Sequence, residues 1–388
     1  MIDTKTFCTR SEIVQADNGQ VRNAYLVALD IGYSSVKLFS PTNYAMFPSY
    51  AKATVEKQTI GQLPDDYILY KDLETGEMWL VGRMAQDDIT VNGVIESDEA
   101  LYGRNRYYDP MFRVITETAL GIGLMGRKPE DGRKIVVQTG LPPRCSEQED
   151  KDGLREVIAG RHHFSVKLGS RKAMVFDFTI DWNDVMIMWQ PMGTMFSVMI
   201  DKNGNEIQGA GTFARERTLV FDPGFGTFDI CEISGNTVNN PQTFFNLGMR
   251  QVLSDTCDKI REKYGVSVTV PAMQKYLETG TVTKYDRRSF KAVKYEFADL
   301  LEESCRAVCA KALEKTDQIY NLGECQNLII TGGTGEAWKD IIHDTLQIPD
   351  LVIIDGNANA PELPFVYSNV RGYYRVRFRE LWKRGGAI

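Results

Sequence analysis

Histidine is scarce in this 388-residue sequence: there are three, at 162, 163 and 343. So few argue against a histidine-built metal centre or a Ser-His-Asp triad, which need imidazoles at fixed places. Cysteine follows no pairing pattern. Its seven copies, at 8, 145, 231, 257, 305, 309 and 325, are odd in number and form no Cys-x-x-Cys. That favours a reduced, cytoplasmic compartment over a disulfide framework. Cys305 and Cys309, four apart in a helical pattern, read as core packing. The opening Met1-Ile2-Asp3-Thr4-Lys5 has no basic-then-apolar plan, so no signal peptide is expected. No long hydrophobic run exists either. Val185 to Ile200 is the most apolar window, and Gln190 and Pro191 interrupt it, so no membrane association is expected. Positive charge is also in deficit: 45 basic against 52 acidic residues give −7. That argues against nucleic-acid binding by the whole body and leaves room for a local basic patch. The apolar share of 43% and charged share of 25% are those of an ordinary globular protein, long enough for two or more domains.

The pattern that is present centres on Leu219 to Ile233. Val220 and Phe221 run into Asp222; Pro223, Gly224 and Gly226 break the run; Phe228, Ile230 and Ile233 resume it. This reads as strand, tight turn, strand. Two readings stand: an ordinary Gly-rich hairpin, or a turn whose successive N–H groups cradle an anion beside an aspartate suited to a hard cation. Tyr25 to Phe39 repeats the pattern. Asp30, Gly32, Ser34 and Ser35 match Asp222, Gly224, Gly226 and Thr227 at one offset of 192 residues. The strand ends at Thr139-Gly140 and Thr331-Gly332 share that offset. We infer two α/β domains of like topology, each opening with a phosphate-type hairpin.

The remaining chain arranges itself around these repeats. Residues 1–24 are polar and read as an extension before the fold. Domain I is expected over 25–205, with a small subdomain at about 40–108. In that subdomain, Tyr67–Tyr70 and Met78–Val81 suggest a hairpin, and Tyr102, Tyr107 and Tyr108 suggest packing. Asp109-Pro110 reads as an N-cap followed by a first helical proline. Domain II is expected over 206–388, with a small insert at about 265–288 and a long helix from about 289 to 320. Leu328 to Trp338 reads as strand, Gly-rich turn and helix, a place for phosphate or a nucleoside edge or simply a structural turn. The tail from Arg371 carries six basic residues and one acidic. It reads as a solvated helix or as a contact for DNA, an acidic partner or a neighbouring subunit.

Two Asp-x-Gly hairpins and a late strand-Gly-Gly-helix, in this order, resemble the actin-like ATPase superfamily over roughly residues 25–380. Asp30-Ile-Gly-Tyr-Ser-Ser-Val-Lys37, Val81-Gly82-x-x-Ala85 and Asn369-Val-Arg-Gly372-Tyr look most like its plasmid-segregation (ParM) group. Pro223, the N-terminal extension and the basic tail depart from that group. The resemblance implies an actin-like fold: two duplicated ribonuclease-H-like domains, each with a smaller inserted subdomain, and a nucleotide cleft between them. It implies Mg²⁺ with ATP or GTP, head-to-tail filaments that hydrolyse their nucleotide, and plasmid positioning through a small DNA-binding adaptor of the ParR type. Asp30 and Asp222 would then face the metal. The backbone at Gly32, Tyr33, Ser34 and Ser35 and at Gly224, Phe225, Gly226 and Thr227 would hold phosphates, with Lys37 a point charge beside them or else merely solvated. Gly332, Gly333, Thr334 and Gly335 would meet the nucleoside. Gln190, in a Gln-x-x-Gly setting at a strand-to-helix junction, would orient the attacking water or else bond the local backbone. Exposed loops in 40–108 and 265–288 are candidate filament contacts. A small-molecule kinase and a plasmid-independent scaffold of the same superfamily remain alternatives.

Overall fold

The computed structural model describes residues 2–55, 61–92 and 104–385. The chain forms two compact units: Met1–Thr9 with Phe213–Asp355, and Arg10–Thr212 with Gly356–Ile388.

The larger unit is built on a six-stranded sheet. Its order is Glu12–Gln15, Asn43–Pro48, Ser35–Phe39, Ala24–Ile31, Lys134–Leu141, Val185–Trp189. Ala24–Ile31 is buried along its whole length, as the apolar run Ala24–Leu29 in a central strand requires, and Asp30 is buried with it. A second, five-stranded sheet runs Met174–Ile180, Gly160–Leu168, Ile68–Asp72, Met78–Val81, Ala51–Thr54. Helix Pro110–Leu124 packs against both sheets, capped by Asp109, whose carboxylate accepts the Met111 N–H at 2.7 Å. Two missing side chains make that possible. A Cβ on Gly121 would lie 3.0 Å from Phe164 in one sheet, and a Cβ on Gly123 would lie 3.0 Å from Val27 in the other. Val27, Val36, Leu120, Ile122 and Phe164 form the shared core. Each fully buried side chain of this size stabilises by about 1.5–3 kcal/mol.

The smaller unit repeats the first sheet's plan. Thr237–Phe244, Phe228–Ser234, Thr218–Pro223, Asn327–Ile330 and Val352–Asp355 follow the same order of two antiparallel and two parallel pairings. The hairpin registers coincide under the offset of 192: Asp30 lies opposite Lys37, and Asp222 opposite Asp229.

Four expectations shift. The small subdomain begins after Pro48 and also takes the strands at 160–180, because Ile68–Asp72 pairs with Gly160–Leu168. Of its aromatics, Tyr107 packs on Phe112, Tyr108 is exposed, and Tyr102, with the rest of 93–103 and 56–60, lies outside the described residues. The long helix is Ala298–Tyr320; Lys291–Glu296 is instead a strand paired with Thr281–Asp286, with Val293 exposed. The polar extension belongs to the fold: Glu12–Gln15 is an edge strand of the larger unit, and the Thr4 hydroxyl donates to the Leu277 carbonyl in the smaller one.

The fourth concerns the tail. Helix Ser368–Gly385, expected with domain II, joins the larger unit, and the division falls at 212/213 rather than 205/206. Val370, Tyr373, Tyr374 and Phe378 are buried against Leu26, Ala28 and Val136. Burial of this apolar face outweighs the solvation of its arginines. Arg371 is 2% exposed; it donates to the Ser197 hydroxyl and, at 2.8 Å, to the Gly356 carbonyl. Arg375 donates to the carbonyls of Ser197 and Ile200. Burial lowers both guanidinium pKa values, to about 9 for Arg371 and about 10 for Arg375.

Candidate functional site

In the larger unit, Ala24–Ile31 ends at a tight turn and Ser35–Phe39 returns antiparallel. The register puts Lys37 beside Asp30 across the hairpin. The Lys37 ammonium donates to Asp30 Oδ2 at 3.2 Å. Gly32 leaves room for it, because a Cβ there would stand 3.0 Å from Lys37 Nζ. Asp30 is 3% exposed, so its charge is held by a partner rather than by bulk water. Its other oxygen, Oδ1, accepts the Gln190 side-chain amide at 3.2 Å. Gln190 opens helix Gln190–Met199, with Pro191 in the first turn, where a missing N–H costs nothing. Asp30 and Lys37, seven residues apart on one hairpin, and Gln190, 160 residues on from Asp30, thus form one cluster.

The Gln190 helix is fixed from behind. Asn369 Oδ1 accepts from the Thr194 N–H at 3.1 Å and from the Thr194 hydroxyl at 2.7 Å. Gly193 and Gly372 face each other where a Cβ on either would strike backbone. The Asn369 to Gly372 motif is therefore a packing device that seats the Gln190 helix.

In the smaller unit, Asp222 and Pro223 end the strand and face Asp229 and Phe228. The carbonyls of Gly224 and Phe225 accept the Met249 and Arg250 N–H groups at 3.1 and 2.9 Å. The Thr334 hydroxyl donates to the Gly224 carbonyl at 2.7 Å, tying the hairpin to helix Gly332–Thr345. Gly332 has φ +76°, and a Cβ there would meet Asp222 Oδ1 at 2.6 Å and the Pro223 carbonyl oxygen at 2.7 Å. Only glycine fits so close an approach. Pro223 also acquires a place: its ring lies 3.6 Å from where a Gly335 Cβ would be. Asp222, Gly332 and Thr334 thus sit together around one turn.

Some details differ from the sequence reading. The Gly32 N–H donates to the Ser35 carbonyl at 3.1 Å, and the Gly224 N–H to the Thr227 carbonyl at 2.7 Å. Those two amides close their turns, which removes them from the expected phosphate cradles. The structure adds two side chains beside the turns. Asp229 occupies the place of Lys37 in the second hairpin and accepts from the Thr227 and Thr243 hydroxyls at 3.0 and 2.6 Å. The offset of 192 marks it. Arg106 donates to the Ile31 carbonyl at 3.0 Å, with its guanidinium over the Tyr33 and Phe112 rings. No repeat marks it. Together with Gly32, Tyr33, Ser49 and Phe112 it lines a small pocket beside the first hairpin.

None of the seven cysteines forms a disulfide. No helix among the described residues is long and apolar enough to cross a membrane.

Comparison with known proteins bears on this arrangement. Residues 28–193 match the family described as actin-like proteins, N-terminal domain. Among curated proteins, none matches the chain by sequence. Solved structures do. A 15-stranded ParM filament from Clostridium botulinum superposes with a TM-score of 0.70 at 17% identity, covering 92% of this chain and 99% of that one. Apo pSK41 ParM gives 0.64 at 18%, covering 94% and 99%. An archaeal actin homologue in complex with ADP gives 0.61 at 15%, covering 92% and 99%. Residues 28–193 thus match the model of an actin-like N-terminal domain, and the chain as a whole has the actin-like fold.

Proposed function

We propose that this chain is a filament-forming nucleotidase that polymerises with bound ATP or GTP, hydrolyses it in the polymer, and positions plasmid DNA through a small DNA-binding adaptor of the ParR type. The observation that carries the reading is the Asp30–Lys37–Gln190 cluster at the end of a glycine-turned hairpin. The ParM filament among the similar structures and the ADP held by the archaeal homologue add support by analogy of fold.

The donor set suits magnesium. Among the described residues no three His, Cys, Asp or Glu side chains gather into a metal cage. Single carboxylates at strand ends, Asp30 and Asp222, suit a small hard cation that keeps most of its own water and leans on phosphate oxygens. When bound, the cation would neutralise charge that builds up on the phosphates. The chain's residues would do the rest. Lys37, now paired with Asp30, would turn its charge to a phosphate, and backbone amides of the two turns would position the anion. Gln190 would orient the attacking water. An amide is no strong base, which suits slow turnover that depends on assembly.

Light scattering and pelleting with Mg-ATP and with Mg-GTP test the reading, with phosphate release followed in parallel. Polymer is expected with at least one nucleotide; its absence with both over a wide concentration range would sink the proposal. Gln190→Ala is expected to assemble while losing roughly 100-fold in phosphate release, the usual scale for one positioning group.

A further inference from the structure

We propose that the hairpin Thr281–Glu296 is a subunit contact that docks, tip first, on a second copy of this chain. The proposal rests on the filament reading and names a surface for it.

One face of the hairpin is committed to its own unit. Val282 is fully buried, Tyr295 stacks on Tyr264 with ring centroids 4.5 Å apart, and the Lys284 ammonium donates to the Tyr264 carbonyl at 2.9 Å. The register puts Thr283, Lys294, Tyr285 and Ala292 on the opposite face, and all four are exposed. At the tip, Asp286 accepts the Arg288 N–H at 2.9 Å and the Ser289 hydroxyl at 2.6 Å, which fixes the turn. Phe290 follows with φ +55° and 79% of its surface exposed. A left-handed position in a short hairpin loop normally goes to glycine, and a bulky residue there is a true outlier. An aromatic held out in water on a strained backbone is costly twice over unless something covers it. Tyr285 and Val293, 55% and 49% exposed, lie on the same hairpin.

Charge selects the occupant. Residues 281–296 carry five basic and two acidic side chains, a balance of +3, which leaves −10 on the other 372 residues. Arg287, Arg288, Lys291 and Lys294 have no ion-pair partner among the described residues. A second copy offers this positive hairpin an acidic body. Two hairpins facing each other would repel, so the contact joins unlike surfaces, and such contacts propagate as open polymers unless their rotation closes. Arginine and aromatic anchors together are the composition of a protein-binding hot spot, which favours a protein partner over a nucleic acid.

Phe290→Gly and the double variant Arg287→Glu with Arg288→Glu test this by pelleting and light scattering with the nucleotide that supports assembly. Both are expected to raise the critical concentration by roughly tenfold or more, as loss of an interface anchor does. Nucleotide binding should stay unchanged. Phe290→Gly should keep or raise the melting temperature, because glycine relieves the left-handed strain, so loss of assembly would not come from loss of fold. Assembly at the wild-type critical concentration in both variants overturns the hairpin contact alone; no polymer from the wild type overturns it together with the filament reading. Assembly that survives in the variants while wild-type binding to duplex DNA at low salt is lost assigns the hairpin to nucleic acid and overturns the proposal.

Discussion

Gly372→Ala puts the helix that carries Gln190 under direct strain. The new methyl carbon would land on the Gly193 carbonyl and 2.9 Å from the Ser197 backbone nitrogen. Carbon contacts are comfortable only from about 3.5 Å. The obstacle is backbone, so no side chain can rotate away and the two helices must part. Overpacking of this kind costs about 1–3 kcal/mol, and the unyielding contact puts it near the upper end. Alanine returns about 1 kcal/mol of helix propensity. The net loss is therefore about 2 kcal/mol. In a unit of this size each kcal/mol moves the melting temperature by about 2–4 °C, which gives a drop of about 4–8 °C by calorimetry. Gly132→Ala is the matched control, since a Cβ there meets nothing within 4 Å. Phosphate release should fall as well, because a displaced helix carries Gln190 off Asp30. Equal melting temperatures for Gly372→Ala and wild type would refute the packing argument and free Gln190 of its dependence on the last helix.

Two further outcomes are expected. Glu117 is fully buried between Tyr70, Arg113 and the His162 ring nitrogen at 2.9 Å. Burial raises its pKa, but the hydrogen bonds from His162 and Tyr70 and the Arg113 charge outweigh it and leave the carboxyl below its ordinary 4.5. A depressed folded value means that its contribution is present above the unfolded pKa and disappears as pH falls through the folded one. Glu117→Gln should cost about 3 kcal/mol at pH 7 and flatten the loss of melting temperature below about pH 4.5; an unchanged acid limb would exclude Glu117 as its source. Thiol titration with a chromogenic disulfide should find at most Cys8 and Cys145 fast in the native protein and seven thiols after denaturation, because the other five are buried. Burial raises Cys257, Cys305 and Cys309 to about 12, which withholds the thiolate. Rapid reaction of more than two would contradict that burial.

Much of this arrangement was legible because the chain says it twice. One Gly-rich hairpin is weak testimony, but Asp30 and Asp222 at a common offset announce a duplicated sheet, and both sheets have it. The junction of an apolar strand and a helix at Gln190 was readable, but its hydrogen bond to Asp30 was not. What escaped reading was decided by tertiary contact. Lys291 to Glu296 is polar enough to pass for a helix face, and only pairing with Thr281–Asp286 makes it a strand. Six basic residues suggested a solvated tail; backbone carbonyls waiting at 197, 200 and 356 turn Arg371 and Arg375 inward. Arg106 depends on Tyr33 and Phe112 meeting it from two separate segments, which no local pattern foretells.

The placement of helix Ser368–Gly385 also sets a timetable for synthesis. The larger unit is interrupted in sequence: 143 residues, 213–355, separate its first part from its last. At about 5–20 residues per second, a ribosome takes on the order of 7–30 s to cross them. Through that interval the strands Ala24–Ile31 and Lys134–Leu141 wait with the face meant for Tyr373, Tyr374 and Phe378 uncovered. The nascent chain must therefore hold a sticky, half-closed body until Ser368–Gly385 has emerged, and ribosome stalling before that helix should release a product that chaperones retain and proteases cut.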